Sequence, residues 1–427
     1  MSGLAAGIRL AEEGAAVVVL AYGAGSLQLA PGTIDLLGYA SGLVADPIHE
    51  ITMLAERDPG HPYAQIGAEN VAAAARWLSA RIADGPLSPY RYVGKAEENM
   101  LLPTALGVPR PSSLVPETMA AGDLRSASRI AVVGFRGMKD FHPSLIADNL
   151  TRASGDGVAA RSLQIDPLTD LSREPGTLNL ARMLDRPGTA AEVAARLAPV
   201  VHEGELIALP AVLSAADPHG AWETLQRLTG CPVCEIPTRP PSMPGLRLFN
   251  TLRTLLAQAG GRLITGARVV GVRGGPEHVD LVRVQVSGGE RSYGCRWVVL
   301  ATGGVASGGL ELDSNWQMRE TALGLHVAGL PEPGAPRFSS RYLDAQPIGR
   351  AGIAVDRDLR PLDQDGRRRW ENVLVAGAAL AGAEPWREKS GEGIALSSGY
   401  RAAELILKAD RHVAGTPAAS TVAETVA

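Results

Sequence analysis

The chain has 427 residues, 45% of them hydrophobic and 20% charged, and a net charge of −4. That length calls for more than one core and that make-up is globular. With no Lys/Arg block beyond Arg367-Arg368-Arg369, it argues against nucleic acid as a partner. No apolar run reaches the ~20 residues of a membrane span, and three cysteines fit a reducing compartment without a disulfide framework.

Residues 1–20 lack a basic leader and carry Glu12-Glu13 inside the apolar stretch, so they do not read as a signal peptide, and the chain reads as cytoplasmic. Gly3, Gly7, Leu10, Gly14 and Val17 are spaced as in the helix and second strand of a dinucleotide-binding βαβ unit. Ala15–Leu20 is that strand. Gly3 matches the third fingerprint glycine, with Ser2 beside it in the loop position, and Gly7 keeps the same helix face small. The first strand and first two glycines are not among these residues, and in-frame codons for them are expected upstream of Met1. Ala21 falls where a ribose-binding carboxylate normally sits, which suits a mononucleotide better than a dinucleotide. Gly23–Ser26 and Pro31–Asp35 form a loop whose Ser26, Gly32 and Thr33 can bring backbone N–H groups to a cofactor.

Residues 47–82 read as helical, most clearly Val71–Ile82, and prolines and glycines crowd residues 86–122. Strands at Arg129–Phe135, Ala160–Ile165 and Glu205–Leu213 alternate with helices at Pro143–Ala153, Thr177–Asp185 and Ala190–Leu197. That alternation predicts a small inserted α/β unit. His142 at a strand-to-helix turn is an exposed or capping residue before it is a catalytic one. Cys231 and Cys234 form a C-x-x-C with no second pair to complete a zinc site, so no metal is expected, and a strand entry is favoured over a redox pair.

Past a proline-rich connector, a helix is predicted over Leu246–Ala259 and paired strands over Arg262–Val272 and Val279–Val286. Arg296–Ala301 is a buried strand stopped by Thr302-Gly303-Gly304. Ile353–Asp356 is a short strand. Val373–Val375 runs into Gly377, a charged patch (Glu384, Arg387, Glu388, Lys389), and then Ser390-Gly391-Glu392-Gly393. A helix starts near Gly391–Gly393 with unpaired N–H groups and the positive dipole end facing the loop, a seat for an electron-rich cofactor edge. Gly393 is expected to touch that cofactor. Gly399, two turns on, is expected to tolerate Ala.

Gly32-Thr33-Ile34-Asp35-Leu36-Leu37, Pro241-x2-Pro244-Gly245-Leu246-Arg247-Leu248, Ala301-Thr302-Gly303-Gly304-x3-Gly308-Gly309-Leu310 and Ala376-Gly377…Gly391-x-Gly393-x-Ala395-Leu396, with the N-terminal glycines, resemble one family. It is the B subunit of anaerobic glycerol-3-phosphate dehydrogenase, among flavoproteins related to fumarate reductase. The resemblance spans nearly the whole chain, and its first two motifs are the more specific. It implies an α/β, Rossmann-like FAD/NAD(P)-binding flavoprotein fold with an inserted α/β subdomain and the first strand missing. Flavin-binding parts are expected at 1–85, 237–310 and 346–412, the insertion at 86–236, a linker or cap at 311–345 and a disordered tail at 413–427. It further implies FMN (FAD being the alternative), glycerol 3-phosphate as substrate, a catalytic A subunit, and a membrane-associated iron–sulfur C subunit that passes electrons to quinone and holds this chain at the inner face of the membrane. Cofactor contacts are expected at Ser2, Gly3, Gly7, Ser26, Gly32, Thr33, Thr302, Gly303, Gly304, Gly377, Ser390, Gly391 and Gly393, and no catalytic base is named. Two other readings stand: a self-sufficient FAD-dependent oxidoreductase of the fumarate reductase or ketosteroid dehydrogenase type, and a flavin-binding relay subunit that never touches substrate.

Overall fold

The computed structural model describes residues 1–166, 176–413 and 424–425, so the expected tail lies almost wholly outside the described residues. In chain order come α1 (Ser2–Glu12), β1 (Val18–Ala21), α2 (Pro47–Arg57), α3 (Pro62–Ile66) and α4 (Ala68–Ala83). The short strands β2 (Tyr92–Gly94), β3 (Met100–Pro103), β4 (Pro109–Ser112) and β5 (Leu114–Pro116) follow, then α5 (Glu117–Ala120). An alternating run comes next: β6 (Arg129–Phe135), α6 (Pro143–Ala153), β7 (Ala159–Ile165), α7 (Thr177–Leu184), α8 (Thr189–Leu197), β8 (Leu206–Pro210), α9 (Pro218–Thr229) and β9 (Val233–Ile236). After α10 (Met243–Gln258) lie β10 (Arg262–Thr265), β11 (Arg268–Gly274), β12 (Val279–Val286), β13 (Gly289–Gly294), β14 (Val298–Leu300), β15 (Leu310–Leu312) and β16 (Met318–Glu320). The chain closes with β17 (Val373–Val375), α11 (Pro385–Glu388) and α12 (Gly391–Val413).

Two large apolar cores divide the molecule. The second spans Ile130 to Ile236 and is built on a parallel sheet in the order β7-β6-β8-β9. In β6, Ile130 through Phe135 are all buried, as a strand covered on both faces must be. Ile146, Leu184, Val193 and Leu225, from α6 to α9, supply the cover. The first core gathers α1, α4, α10, the β11–β13 hairpins and α12, and takes in Tyr90, Tyr92, Ala96 and Leu114 as well.

The parallel sheet of that first core comes in two pieces. β1 pairs with β10 (Val18 opposite Arg262), and β14 pairs with β17 (Val298 opposite Val373). Helix α1 lies across both. A Cβ on Gly3 would stand 3.4 Å from Ala301 Cβ and 3.9 Å from Val19 Cγ1. All four β1 residues, and Val298 and Val299 of β14, are only half-buried, while β17 is fully buried.

Three expectations need correcting. The second strand is Val18–Ala21 rather than Ala15–Leu20, because α1 ends in a turn at Gly14 with φ +84° and the chain reaches its partner β10 late. Ile353–Asp356 forms only isolated bridges, Ile353 to Leu380 and Val355 to Pro361, in a segment of turns. Gly399 is not a free helix glycine. Its missing side chain is what lets α12 meet α1, since a Cβ there would run into the Ser2 carbonyl and stand 2.9 Å from Ser2 Cα.

Candidate functional site

The glycine turns that follow β14 and β17 meet at the start of α1. Gly377, at φ +78°, begins a short turn after β17, and a Cβ there would come 2.5 Å from Ser2 Oγ. The Gly377 N–H donates to Ser398 Oγ of α12 at 2.8 Å. Gly303, at φ +84°, turns the chain out of β14, and a Cβ on Gly304 would stand 2.9 Å from Ala378 O. Ser2, Gly3, Thr302, Gly303, Gly304 and Gly377 therefore form one neighbourhood. The side-chain Oγ1 of Thr302 is buried there without a hydrogen-bond partner among the described residues.

The start of α12 forms the next wall. Ser390 O accepts the Ile394 N–H at 2.8 Å, and Ser390 Oγ donates to Glu388 Oε2 at 2.7 Å. Gly393 corrects the expectation of a bare donor, because its N–H donates to Asp35 O at 3.0 Å. A Cβ on Gly393 would stand 2.5 Å from the Tyr63 hydroxyl and 2.7 Å from Leu36 Cα. Gly393 thus brings the helix onto the loop that carries Thr33, whereas a Cβ on Gly391 would meet only Pro385 Cβ at 3.4 Å.

Other expected contacts separate from this group. Gly7 is a packing position, since its Cβ would meet Val19 Cγ2 at 3.0 Å and Leu256 Cδ1 at 3.2 Å. Gly32 is fixed by α10, where a Cβ would stand 2.9 Å from the Pro244 carbonyl carbon. Ser26 stands exposed at the start of the turn that packs on α10. His142 is exposed ahead of α6 and makes no side-chain cap. Cys231 and Cys234 are buried free thiols, and burial pushes both up, away from thiolate reactivity.

What sequence reasoning missed is a polar cluster behind the Thr33 loop. Asp35 is fully buried and accepts hydrogen bonds from Thr33 Oγ1 (2.9 Å), Ser112 Oγ (2.7 Å) and Arg110 Nε (2.7 Å), with Arg110 Nη2 closing a second contact. Burial works against the Arg110 charge, but Asp35 and Glu392 outweigh it and hold the guanidinium above its ordinary range. Glu392, half-buried between the two glycines of the α12 turn, is pushed up to about 7, first by burial and then by Asp35, against the pull of Arg110 and Lys389. His61 Nδ1 accepts the Tyr63 N–H at 3.1 Å, so the ring proton sits on Nε2 and donates to Glu388 Oε2 at 3.2 Å. Burial tends to raise Glu388, yet the bond from His61 leads the contacts that bring it below the usual range. The available signals were an acid flanked by glycines at Glu392 and an arginine between two prolines at Arg110.

Glu392 gives a pH prediction. Its folded pKa lies above the ordinary carboxyl value of 4.5, so the stability it contributes is complete below about 4.5 and is lost as pH rises through about 7. The melting temperature of the apoprotein should fall between those limits, and Glu392→Gln should flatten that fall. A Gln variant with the wild-type pH profile would mean that the carboxyl does not titrate there.

The FAD binding domain family matches residues 1–394. The B subunit of anaerobic glycerol-3-phosphate dehydrogenase from Yersinia enterocolitica is 31% identical over 425 residues, covering 96% of each chain. The probable B subunit of the same enzyme from Halobacterium salinarum is 30% identical over 94% of each chain. This chain belongs to the B-subunit family of anaerobic glycerol-3-phosphate dehydrogenase. A solved 3-ketosteroid delta1-dehydrogenase from Sterolibacterium denitrificans aligns over 96% of this chain and 98% of its own, at 12% identity and a TM-score of 0.44.

As a member of the B-subunit family the chain is part of a flavin-dependent oxidoreductase, with the α/β flavoprotein fold that its motifs implied. The turn after β14 fits a flavin in one respect: Thr302 Oγ1 is a buried hydroxyl with no hydrogen-bond partner among the described residues. The preference for FMN drawn from Ala21 gains nothing from a family that binds FAD. Among the described residues no helix is long and apolar enough to cross a membrane, and no group of His, Cys, Asp and Glu is arranged to hold a metal ion.

Proposed function

We propose that this chain oxidises sn-glycerol 3-phosphate to dihydroxyacetone phosphate as the flavin-containing subunit of a complex, and that electrons leave it through partner subunits towards quinone. What supports the reading is the meeting of Ser2, Thr302–Gly304 and Gly377 at the start of α1, with Thr302 Oγ1 unpaired there, in a chain about 30% identical to B-subunit relatives over nearly its whole length. In this reading residues 1–85, 237–310 and 346–412 form the flavin-binding body, 86–236 the insertion and 311–345 a cap. A catalytic A subunit and an iron–sulfur C subunit at the membrane complete the assembly.

A bound flavin supplies the hydride acceptor, and the residues of this chain do the rest. Ser2, Gly303 and Gly304 offer backbone and hydroxyl to it, with Thr302 Oγ1 as a further hydrogen-bonding group and Gly377 making room beside Ser2. Glu392 is the base assigned to the substrate hydroxyl proton. A carboxyl that titrates near neutrality can take a proton and release it again, which an ordinary surface carboxylate does poorly. Arg110, kept charged by Asp35, faces the anionic end of the substrate.

The test is anaerobic addition of sn-glycerol 3-phosphate to the purified, flavin-loaded chain, with bleaching of the flavin absorbance expected. An unbleached flavin would overturn substrate oxidation by this chain and leave the relay role. Chromatography of flavin released on denaturation separates FAD from FMN. Thr302→Val removes the unpaired hydroxyl at nearly constant shape. It is expected to weaken flavin retention by up to about tenfold, the worth of one hydrogen bond, as measured by equilibrium dialysis. Unchanged retention would place Thr302 outside the seat.

A further inference from the structure

A cavity of about 240 Å³ opens between the two cores, walled by the loop after β1, the β3–β4 hairpin and the connector after β9. Thr33, Arg110, Ser112, Thr238 and Arg239 bring its polar groups, and Leu29, Leu102 and Leu106 are among its apolar ones. It is smaller than the ~300–1,000 Å³ of drug-sized pockets, so it suits a small metabolite. The arrangement of charge is specific. Arg110 and Arg239 both line the cavity, whereas neither partner carboxylate belongs to its lining. Asp35 lies fully buried behind Arg110, and Asp140 pairs with Arg239 at 2.6 Å from outside the wall. An occupant therefore meets two arginines whose carboxylate partners lie off the lining.

Thr238 is a second, independent observation. It is 9% exposed on the same wall, and its Oγ1 is buried with no hydrogen-bond partner among the described residues. A native interior seldom leaves such a group unpaired. The cavity also borders the cofactor cleft. Asp35 holds Arg110 with its side chain and accepts the Gly393 N–H with its backbone, so a single residue separates the cavity wall from the turn that carries Glu392. Arginine N–H groups suit phosphate oxygens, and Arg110 is fixed in orientation because Asp35 holds its Nε and Nη2 edge, which leaves the Nη1 side for a phosphate.

We propose that this cavity binds the phosphate monoester end of the substrate, with Arg110 and Arg239 as the phosphate-recognising residues and Thr238 as a supporting group on the wall. This assignment rests on the glycerol 3-phosphate reading and adds where discrimination against unphosphorylated glycerol arises. Arg110 lies within 86–236 and Arg239 on the connector just after it, so the insertion takes part in substrate recognition through Arg110. Arg110 comes from the β4 edge of the hairpin, so the phosphate is held from two sides.

The test uses the full flavin-loaded chain and calorimetric titration with sn-glycerol 3-phosphate, inorganic phosphate and glycerol. Glycerol 3-phosphate and inorganic phosphate should bind and compete, and glycerol should bind far more weakly. Arg239→Gln changes a residue whose side chain is 71% exposed, so it leaves folding and flavin retention intact. It should weaken binding of both phosphates about tenfold, as loss of a charge-assisted bond does. Arg110→Lys keeps a positive charge in front of Asp35 but loses the planar N–H set that Asp35 orients, and should weaken them at least as much. Equal binding of glycerol and glycerol 3-phosphate, or an Arg239→Gln variant with wild-type phosphate affinity, would overturn the proposal. Absence of flavin, or flavin that glycerol 3-phosphate fails to bleach despite binding, would count against the oxidation reading instead. A wild-type chain that bleaches but binds no inorganic phosphate and loses nothing in Arg239→Gln would leave that reading standing and sink this one.

Discussion

Glu235→Gln is expected to cost about 3–5 kcal/mol of stability, the range for breaking one side of a fully desolvated ion pair. Arg247 on α10 and Glu235 on β9 have side chains 1% and 0% exposed, and they meet as a fork: Nη1 to Oε2 at 2.7 Å and Nη2 to Oε1 at 3.0 Å. The surroundings satisfy what the pair leaves over. Arg247 Nε donates to Ser214 O at 3.0 Å and Nη2 reaches Leu213 O. Glu235 accepts Thr118 Oγ1 at 2.7 Å and the Leu213 N–H at 2.9 Å. A glutamine of the same shape would turn one acceptor into a donor facing a guanidinium and leave a buried positive charge without its counter-ion. Because α10 packs in the first core and β9 in the second, the loss should also loosen one core from the other. Chemical denaturation of the apoprotein measures the first effect, and limited proteolysis near the 237–242 connector the second. The double variant Arg247→Met with Glu235→Leu should recover only part of the stability, since it removes the unpaired charge but leaves Ser214 O, Thr118 Oγ1 and the Leu213 N–H and O without those partners. A cost below about 1 kcal/mol for Glu235→Gln would show that water reaches the pair.

The same residues show what a sequence discloses and what it hides. Some elements set by local pattern were legible to within a residue or two, whereas the strand expected at Arg262–Val272 is split into β10, which pairs with β1, and β11, which pairs with β12. The buried run of β6, the helix after Pro143 and the start of α12 at Gly391 all follow from periodicity and from proline or glycine at an element's end. The motif Pro241–Leu248 was legible as a motif, but its reasons are long-range. Pro244 closes on Gly32, Gly245 packs its bare backbone against the Leu27 and Ala30 carbonyls, and Arg247 finds Glu235. No spacing rule connects those positions. The cluster of Asp35, Arg110 and Glu392 was hidden for the same reason, as its members lie on three separate stretches of chain and meet only through tertiary packing. The seat at Gly391–Gly393 was legible in place but not in detail. A glycine leaves room, and the sequence does not say for what: at Gly393 the room goes to the backbone of Leu36 rather than to a ligand.

That difference reverses the expected behaviour of the two helix glycines and sets up a sharper experiment. Gly393→Val drives two methyls into a space already bounded by the Tyr63 hydroxyl at 2.5 Å and Leu36 Cα at 2.7 Å from its Cβ. The loop from Thr33 to Leu37 must move, and with it the bond from Gly393 N–H to Asp35 O and the anchor of Arg110. Overpacking of this kind costs about 1–3 kcal/mol, which here falls on the wall of the cofactor cleft, so flavin occupancy should drop about tenfold or more. In the fraction that still binds, a shifted helix start would give less support to the negative charge of reduced flavin. The N-terminal dipole is worth about 1 kcal/mol, hence a midpoint potential lower by roughly 20 mV. Gly399→Ala acts at the other end of the same geometry: its methyl strikes the Ser2 backbone, and Ser2 is what Gly377 turns around. It should lose flavin too, by separating α1 from α12, although its own methyl meets α1 rather than the Thr33 loop. A neutral comparison comes from Gly288, in the β12–β13 turn, where a Cβ meets nothing within 4 Å; Gly288→Ala should keep wild-type occupancy and potential. Flavin fluorescence after gel filtration reads occupancy for all three, and redox titration reads potential. If Gly399→Ala retains flavin as Gly288→Ala does, the close contact between α1 and α12 is not what shapes the cleft. If Gly393→Val retains it as well, the flavin does not depend on the start of α12 at all.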